Sequence, residues 1–176
     1  DDVENRIREE IRTADSDIEV AMMQMTRTSL SGEMIGRFNA GAFVAEVVDD
    51  TSASASAPFL ALKNASPIMA PRILKWTGNG IMHNKFVVFD VDSPQLATVW
   101  TGSTNWTELQ MNLDCNNVVV FEDQALARAF TLEFEELLAR LEALARRGQG
   151  LKISRPTQLQ VADVMLDRES MRASRA

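Results

Sequence analysis

The sequence predicts an α/β fold, a mixed and mostly parallel β-sheet flanked by helices, and three observations carry that expectation. A strand, a helix and a second strand follow one another between residues 17 and 48, a spacing that implies a right-handed parallel crossover. Short apolar runs at 86–89, 97–100 and 117–121 read as further buried strands. A long amphipathic helix then opens near Asp123.

Taken in order, Val3, Ile7 and Ile11 recur every four residues and give a first helix one apolar stripe. Ile18, Val20 and Met22 alternate with Glu19, Ala21 and Met23, so a strand follows. Ser29 or Ser31 is placed to cap a short helix carrying Met34, Ile35 and Phe38, which Gly41 ends. Phe43 to Val48 is a strongly apolar strand. The Ser/Ala run from Thr51 to Pro58 reads as an exposed loop, and the segment on to Gly80 carries no assignable pattern. Phe86 to Phe89 and Ala97 to Trp100 are strands joined by a turn at Asp92-Ser93-Pro94. Asn117 to Phe121 makes one more. Asp123 begins the long helix, with Leu126, Phe130, Phe134, Leu137, Leu141 and Leu144 on one face, and Gly148 stops it. Residues 1–148 thus form the folded domain. A polar extension covers 149–176, with a short helix expected around Val161 to Leu166 after Pro156.

A chain of 176 residues with 45% apolar side chains is long enough for one domain with a good core. No apolar run approaches the ~18 residues that cross a bilayer, so a soluble chain without a transmembrane segment is expected. A lone cysteine, Cys115, forms no internal disulfide, and with one histidine it excludes most Cys/His zinc sites. EF-hand and paired-acid spacings are absent as well, so neither metal nor cofactor is expected. Beginning at Asp1-Asp2, the chain reads as a processed or excised product, which leaves cytoplasmic and exported origins both open.

The net charge of −7 argues against indiscriminate attraction to nucleic acid. Its distribution is uneven. From Thr51 through Phe89 there is no Asp or Glu, while Lys63, Arg72, Lys75 and Lys85 are present. The same stretch holds the only histidine. His83 opens the string His83-Asn84-Lys85-Phe86-Val87-Val88-Phe89-Asp90, and Gly102-Ser103-Thr104-Asn105 follows downstream.

On a strand, His83 and Lys85 are two apart, so both side chains leave one face and a single phosphate can touch both. Ser103 and Asn105 come from the turn after the neighbouring strand, at the same end. Gly102 lacks a Cβ and lets the turn backbone approach a phosphate. An imidazole nucleophile with Lys85 for charge and Asn105 as amide donor suits attack on a phosphodiester. One donor to the non-bridging oxygens is typically worth ~3 kcal/mol. Asp90, five residues beyond Lys85, points to the opposite face and lies roughly a dozen ångströms or more along the strand, which suits a supporting role. Trp100 and Trp106 are expected to pack under the turn, with Trp76 a candidate for stacking on a base.

His-x-Lys-x-x-x-x-Asp followed by Gly-Ser-x-x-Asn resembles the signature of the phospholipase D superfamily, named for its HKD motif. At roughly 5% per residue type, six fixed positions coincide by chance about once in 10^7 to 10^8 windows. The order of helices and strands is similar over roughly residues 1 to 147. The resemblance implies a phospholipase D-like fold and a metal-independent phosphodiesterase that forms a phosphohistidine on His83. It implies catalytic roles for His83, Lys85 and Asn105, and phosphate contacts from Lys85, Ser103 and Asn105. Supporting positions fall at Asp90, Gly102 and Asn116. Relatives often carry a Glu at the place of Asn116 to orient the imidazole; an Asn accepts a hydrogen bond but brings no charge.

Two displacement steps need a second imidazole, and no second copy of the motif is present. The expected partner is therefore a second copy of the chain, or a second HKD half. The first expectation is a homodimeric endonuclease resembling the small bacterial HKD nucleases, joined by an isologous interface. The alternative is one half of a tandem-motif phospholipase D, for which Ile68, Met69, Ile73 and Ile81 would supply an exposed apolar rim. A third possibility is a catalytically weak binding module that keeps the pocket.

Overall fold

The computed structural model describes residues 2–49, 56–148, 158–161, 164–167 and 172–175. Along the chain run α1 (Asp2–Thr13), β1 (Asp17–Met22), α2 (Thr28–Asn39), β2 (Phe43–Asp49), α3 (Ala57–Ala65), β3 (Ile73–Trp76), β4 (Lys85–Phe89), β5 (Thr98–Gly102), α4 (Glu108–Asn112), β6 (Val118–Phe121) and α5 (Gln124–Gly148). The six strands make one sheet in the order β3-β2-β1-β4-β5-β6. It is mixed, as expected, but not mostly parallel. β1 with β2 and β2 with β3 are parallel, whereas β1 with β4, β4 with β5 and β5 with β6 are antiparallel. The reason lies in the connections. Helices α2 and α3 bring the chain back between the first three strands, while no crossover helix links β4 to β5.

Alternation along the strands builds two apolar cores, one on each face. Ile18, Val20 and Met22 of β1, with Val44 and Val48 of β2, pack with Ile7 and Ile11 of α1, Leu30 and Met34 of α2, and Leu62 of α3. Ala21, Ala45, Val47, Phe86, Val88 and Val99 face the other way, onto Ala127, Phe134, Leu137 and Leu141 of α5. The result is helix, sheet, helix in three layers. Asp123 caps α5 as expected, its Oδ1 accepting from Leu126 N at 2.8 Å. Neither serine caps α2. Ser29 Oγ donates to Glu4, and Ser31 Oγ donates to Thr28 O at 3.1 Å.

Of the expected loop from Thr51 to Pro58, residues 51–55 lie outside the described residues, and Ala57 already belongs to α3. Pro58 in the first turn and an Ala/Leu-rich body favour that helix. On the sheet face toward the first core, Glu46 is fully buried between Val20 and Ile73, and neither of its oxygens has a partner among the described residues.

The chain divides into two compact units, Asp1–Leu144 and Ala145–Ala176. In the second, the helix expected around Val161 to Leu166 is replaced by strands β7 (Gln158–Val161), β8 (Val164–Asp167) and β9 (Arg172–Arg175), paired antiparallel in that order. The sequence explains the correction. Leu159 and Val161 alternate with Gln158 and Gln160, the period of a strand. Only two residues separate β7 from β8, the length of a hairpin link.

Candidate active site

β4 begins at Lys85, so His83 lies in the segment that leads into the strand rather than on it. Its two neighbours are tied down. Met82 N donates to Asp49 Oδ2 at 2.6 Å, and Asn84 O accepts from Met23 N at 2.8 Å. The side chains expected to meet do so: Lys85 Nζ stands 3.2 Å from His83 Nε2. An ammonium can only donate, so the contact fits the tautomer in which Nε2 accepts and Nδ1 carries the proton. Lys85 also donates to His83 O at 3.0 Å and faces Met23 Sδ at 3.7 Å. It is 9% exposed, and burial holds its pKa below the ordinary lysine value.

Asn105 enters from the loop after β5 and is 3% exposed. Its Oδ1 accepts from Gln24 N at 3.0 Å, and its Nδ2 donates to Gln110 Oε1 at 3.0 Å. Gln110 Oε1 accepts from Asn105 N as well, at 2.8 Å. An amide carries two N–H groups; Gln110 takes one. Ser103 lines the same cleft and is bonded to the neighbouring loop. Its Oγ donates to Asn116 Oδ1 at 3.0 Å and accepts from Asn117 N at 3.0 Å, so the hydroxyl clamps the loop before β6. The role of Gly102 changes. With φ of +147°, a Cβ there would stand 2.3 Å from Asn117 O, so the close approach glycine permits is to the chain's own backbone.

These groups line an open cleft of about 600 Å³, formed by Met23, Gln24, His83, Lys85, Gly102, Ser103, Asn105, Gln110, Asn116 and Asn117. Lys85 is the one cation among these lining residues, and none is acidic. His83, Lys85, Ser103, Asn105, Gly102 and Asn116 are therefore brought together; Asp90 is not. It ends β4 at the far side, 3% exposed, where Oδ1 accepts from Asp15 N at 2.8 Å, Ser16 N at 2.6 Å and Ser16 Oγ at 3.1 Å. Met23, Gln24, Gln110 and Asp49 were not legible as site residues, since no spacing links them to the motif.

The remaining expectations divide. Trp100 and Trp106 are buried under the turn. The cations of the acid-free stretch do not gather at the cleft. Lys63 Nζ donates to Ala70 O and Ile73 O, Arg72 lies over the Phe43 ring and Lys75 over that of Phe59. Of the expected apolar rim, Ile68 and Ile81 are exposed while Met69 and Ile73 are buried in the core. Among the described residues no three His, Cys, Asp or Glu side chains gather as a metal site, and no helix is long and apolar enough to cross a membrane.

An imidazole in contact with a lysine, with a buried amide beside them around a polar cleft, is an arrangement suited to phosphoryl chemistry on an α/β sheet. The family model for the phospholipase D-like domain described as "Cardiolipin synthase, PLD-like domain" matches residues 7–138. The chain belongs to that family, within the phospholipase D superfamily. A mitochondrial cardiolipin hydrolase from Xenopus tropicalis is 36% identical over 59 residues, 34% of this chain and 26% of that protein. The chain thus spans about a quarter of this relative's length. Among solved structures, Nuc from Salmonella typhimurium, a phospholipase D family member, superposes with a TM-score of 0.63 at 21% identity, covering 77% of this chain and 86% of Nuc. NucT from Helicobacter pylori gives 0.64 at 16% identity, covering 78% and 88%. Both show the phospholipase D-like fold.

Proposed function

We propose that the chain is a metal-independent phosphodiesterase, a hydrolase that works through a phosphohistidine on His83 and needs a second copy to complete its site. The contact between Lys85 Nζ and His83 Nε2 at 3.2 Å carries this reading. A bound diester would offer Lys85 a phosphate oxygen as acceptor in place of Nε2. That exchange releases the imidazole lone pair beside the phosphorus. The Nε2–P bond then forms as the P–O bond to the leaving group breaks, and the leaving oxygen takes a proton from the partner's imidazolium. In the second step water attacks phosphorus, the P–N bond breaks, and the partner's imidazole takes the water proton. Lys85 and the second amide hydrogen of Asn105 meet the charge that builds on the non-bridging oxygens.

A nucleic acid is the favoured substrate. The amides of Gln24, Asn105, Gln110, Asn116 and Asn117 give the cleft a hydrogen-bonding wall suited to a sugar–phosphate chain. The phospholipid reading has its own observation. Ile81 is 59% exposed, Leu109 56% and Leu113 74%, on segments next to His83 and Gln110. One experiment separates the two. The protein is incubated in chelator with plasmid and, separately, with phosphatidylcholine vesicles, with His83→Ala beside it. Nicking of plasmid that H83A abolishes supports the nuclease, and release of choline alone supports the lipase. Activity surviving in H83A removes the nucleophile. Light scattering at tens of micromolar should give a dimer; a strict monomer would overturn the shared site.

A further inference from the structure

We propose that Asp49 is a positioning residue for His83, acting through the backbone of Met82. The inference rests on His83 as nucleophile, and it starts from where that residue sits. His83 is exposed and precedes β4, so the strand ladder does not hold its own backbone. Beyond the Lys85 contacts to its ring and carbonyl, its backbone is held by one bond on either side. Downstream, Asn84 O accepts from Met23 N at 2.8 Å, which extends the β1–β4 pairing by one bond. Upstream, the pin is a side chain: Asp49 Oδ2 accepts from Met82 N at 2.6 Å.

Asp49 is suited to that task. It is the last residue of β2, fully buried, with its own N–H directed to Met23 O at 3.4 Å. Met23 in turn faces Lys85 through its sulfur. Asp49 and Met23 therefore brace the backbone before and after the nucleophile from the ends of two adjacent strands. Met82 adds to this with a side chain buried in the second core, the cluster that also holds Val47 and Phe86. A charge-assisted bond from a buried carboxylate is the strongest anchor available to a loop amide. Loss of it would let the imidazole swing away from Lys85 while leaving the cleft residues themselves unchanged.

His83 is the only histidine, so its imidazole gives a single set of nitrogen resonances. In the full chain, with the ring held against Lys85, those resonances should report one neutral tautomer with the proton on Nδ1. In Asp49→Ala they should drift toward the mixture of a free imidazole. Turnover of a plasmid or a simple aryl phosphodiester should fall about 10²-fold in kcat with KM nearly unchanged. Asp49→Asn, which keeps an acceptor oxygen, should restore most of both. Hydrogen exchange on the unaltered protein guards against a variant that fails to fold: the Met82 amide should exchange far more slowly than those of Ile81 and His83. An unprotected Met82 amide, or D49A with the wild-type tautomer and kcat, would overturn the proposal. Loss of activity dependence on His83 would sink the nucleophile assignment alone, because tautomer and exchange report on the pin without turnover.

Discussion

The two ends of β4 carry the two ends of one eight-residue string, and they are built on opposite terms. At the Lys85 end the polar groups meet around an open cleft, and the contacts they make there can be exchanged for a phosphate oxygen. At the Asp90 end the carboxylate is enclosed, and its acceptor sites are taken by the backbone and hydroxyl between α1 and β1. Asp90 also holds φ at +52°, a region an L-residue occupies only where its surroundings over-determine it. Histidine and lysine thus face the cleft, and the aspartate of the same motif fastens the first helix to the sheet. A shared signature need not mean a shared job.

The largest effect that would sharpen this contrast is at the cleft. His83→Ala should reduce diester hydrolysis on the order of 10^4-fold or more, with an unchanged melting temperature, since the ring is exposed and holds no core together. Lys85→Met should lower kcat about 10²- to 10³-fold by removing the charge beside the phosphoryl oxygens. Single-turnover assays on plasmid or an aryl diester measure both. A Lys85→Met protein with full kcat would break the comparison at its active end.

Asp90→Ala should do the reverse: destabilise by about 2–4 kcal/mol, by orphaning buried donors, with kcat per folded molecule intact. Asp90→Asn should recover much of the loss, because Asn accepts from the same N–H groups and tolerates positive φ. Denaturant unfolding paired with active-site titration reads this directly. A selective fall in kcat would place Asp90 in the chemistry after all.

Glu46 is the counter-case to Asp90, a buried carboxyl with no hydrogen-bond partner among the described residues. Burial raises its pKa from 4.5 to about 8. The folded state therefore keeps a proton between pH 4.5 and about 8 that the unfolded chain has released, so stability falls as pH rises through that window. Glu19, raised by burial to about 7, adds the same sign. Glu46→Gln should remove its share. The difference in unfolding free energy between wild type and E46Q should favour the variant by on the order of 3 kcal/mol at pH 7.5 and vanish near pH 4.5. A difference independent of pH would mean that the carboxyl has a partner.

How much of this could be read from the chain depended on the kind of signal. Four-residue spacing exposed α1, alternation exposed β1, apolar runs and stripes exposed β2 and α5, and the motif string led to His83, Lys85 and Asn105. Helix α3 was hidden behind a Ser/Ala run that reads as loop. β3 was hidden by its brevity: four residues at a sheet edge give no alternation to count. Sheet direction was misjudged because a strand run looks the same whichever way it points. The groups that brace the site, Asp49, Gln24 and Gln110, act mostly on backbone atoms or across long sequence separations. No side-chain pattern records such contacts.

The smallest expected effect tests Asn116, the position where the family resemblance leads one to expect a glutamate. Asn116 borders the cleft, and its Oδ1 accepts from Ser103 Oγ at 3.0 Å. A glutamate there would keep an acceptor for that hydroxyl and add a negative charge to a lining that has none among these residues. Near an imidazole that must be cationic before it acts as acid, such a charge stabilises the protonated form. Asn116→Glu should therefore raise kcat severalfold and shift the alkaline limb of the kcat–pH profile upward, by about half a pH unit to one. The same charge repels the phosphate, so KM should rise modestly. If kcat falls while the alkaline limb stays in place, Asn116 belongs with Ser103 to the loop clamp, and the active end of β4 is bounded at Lys85 and Asn105.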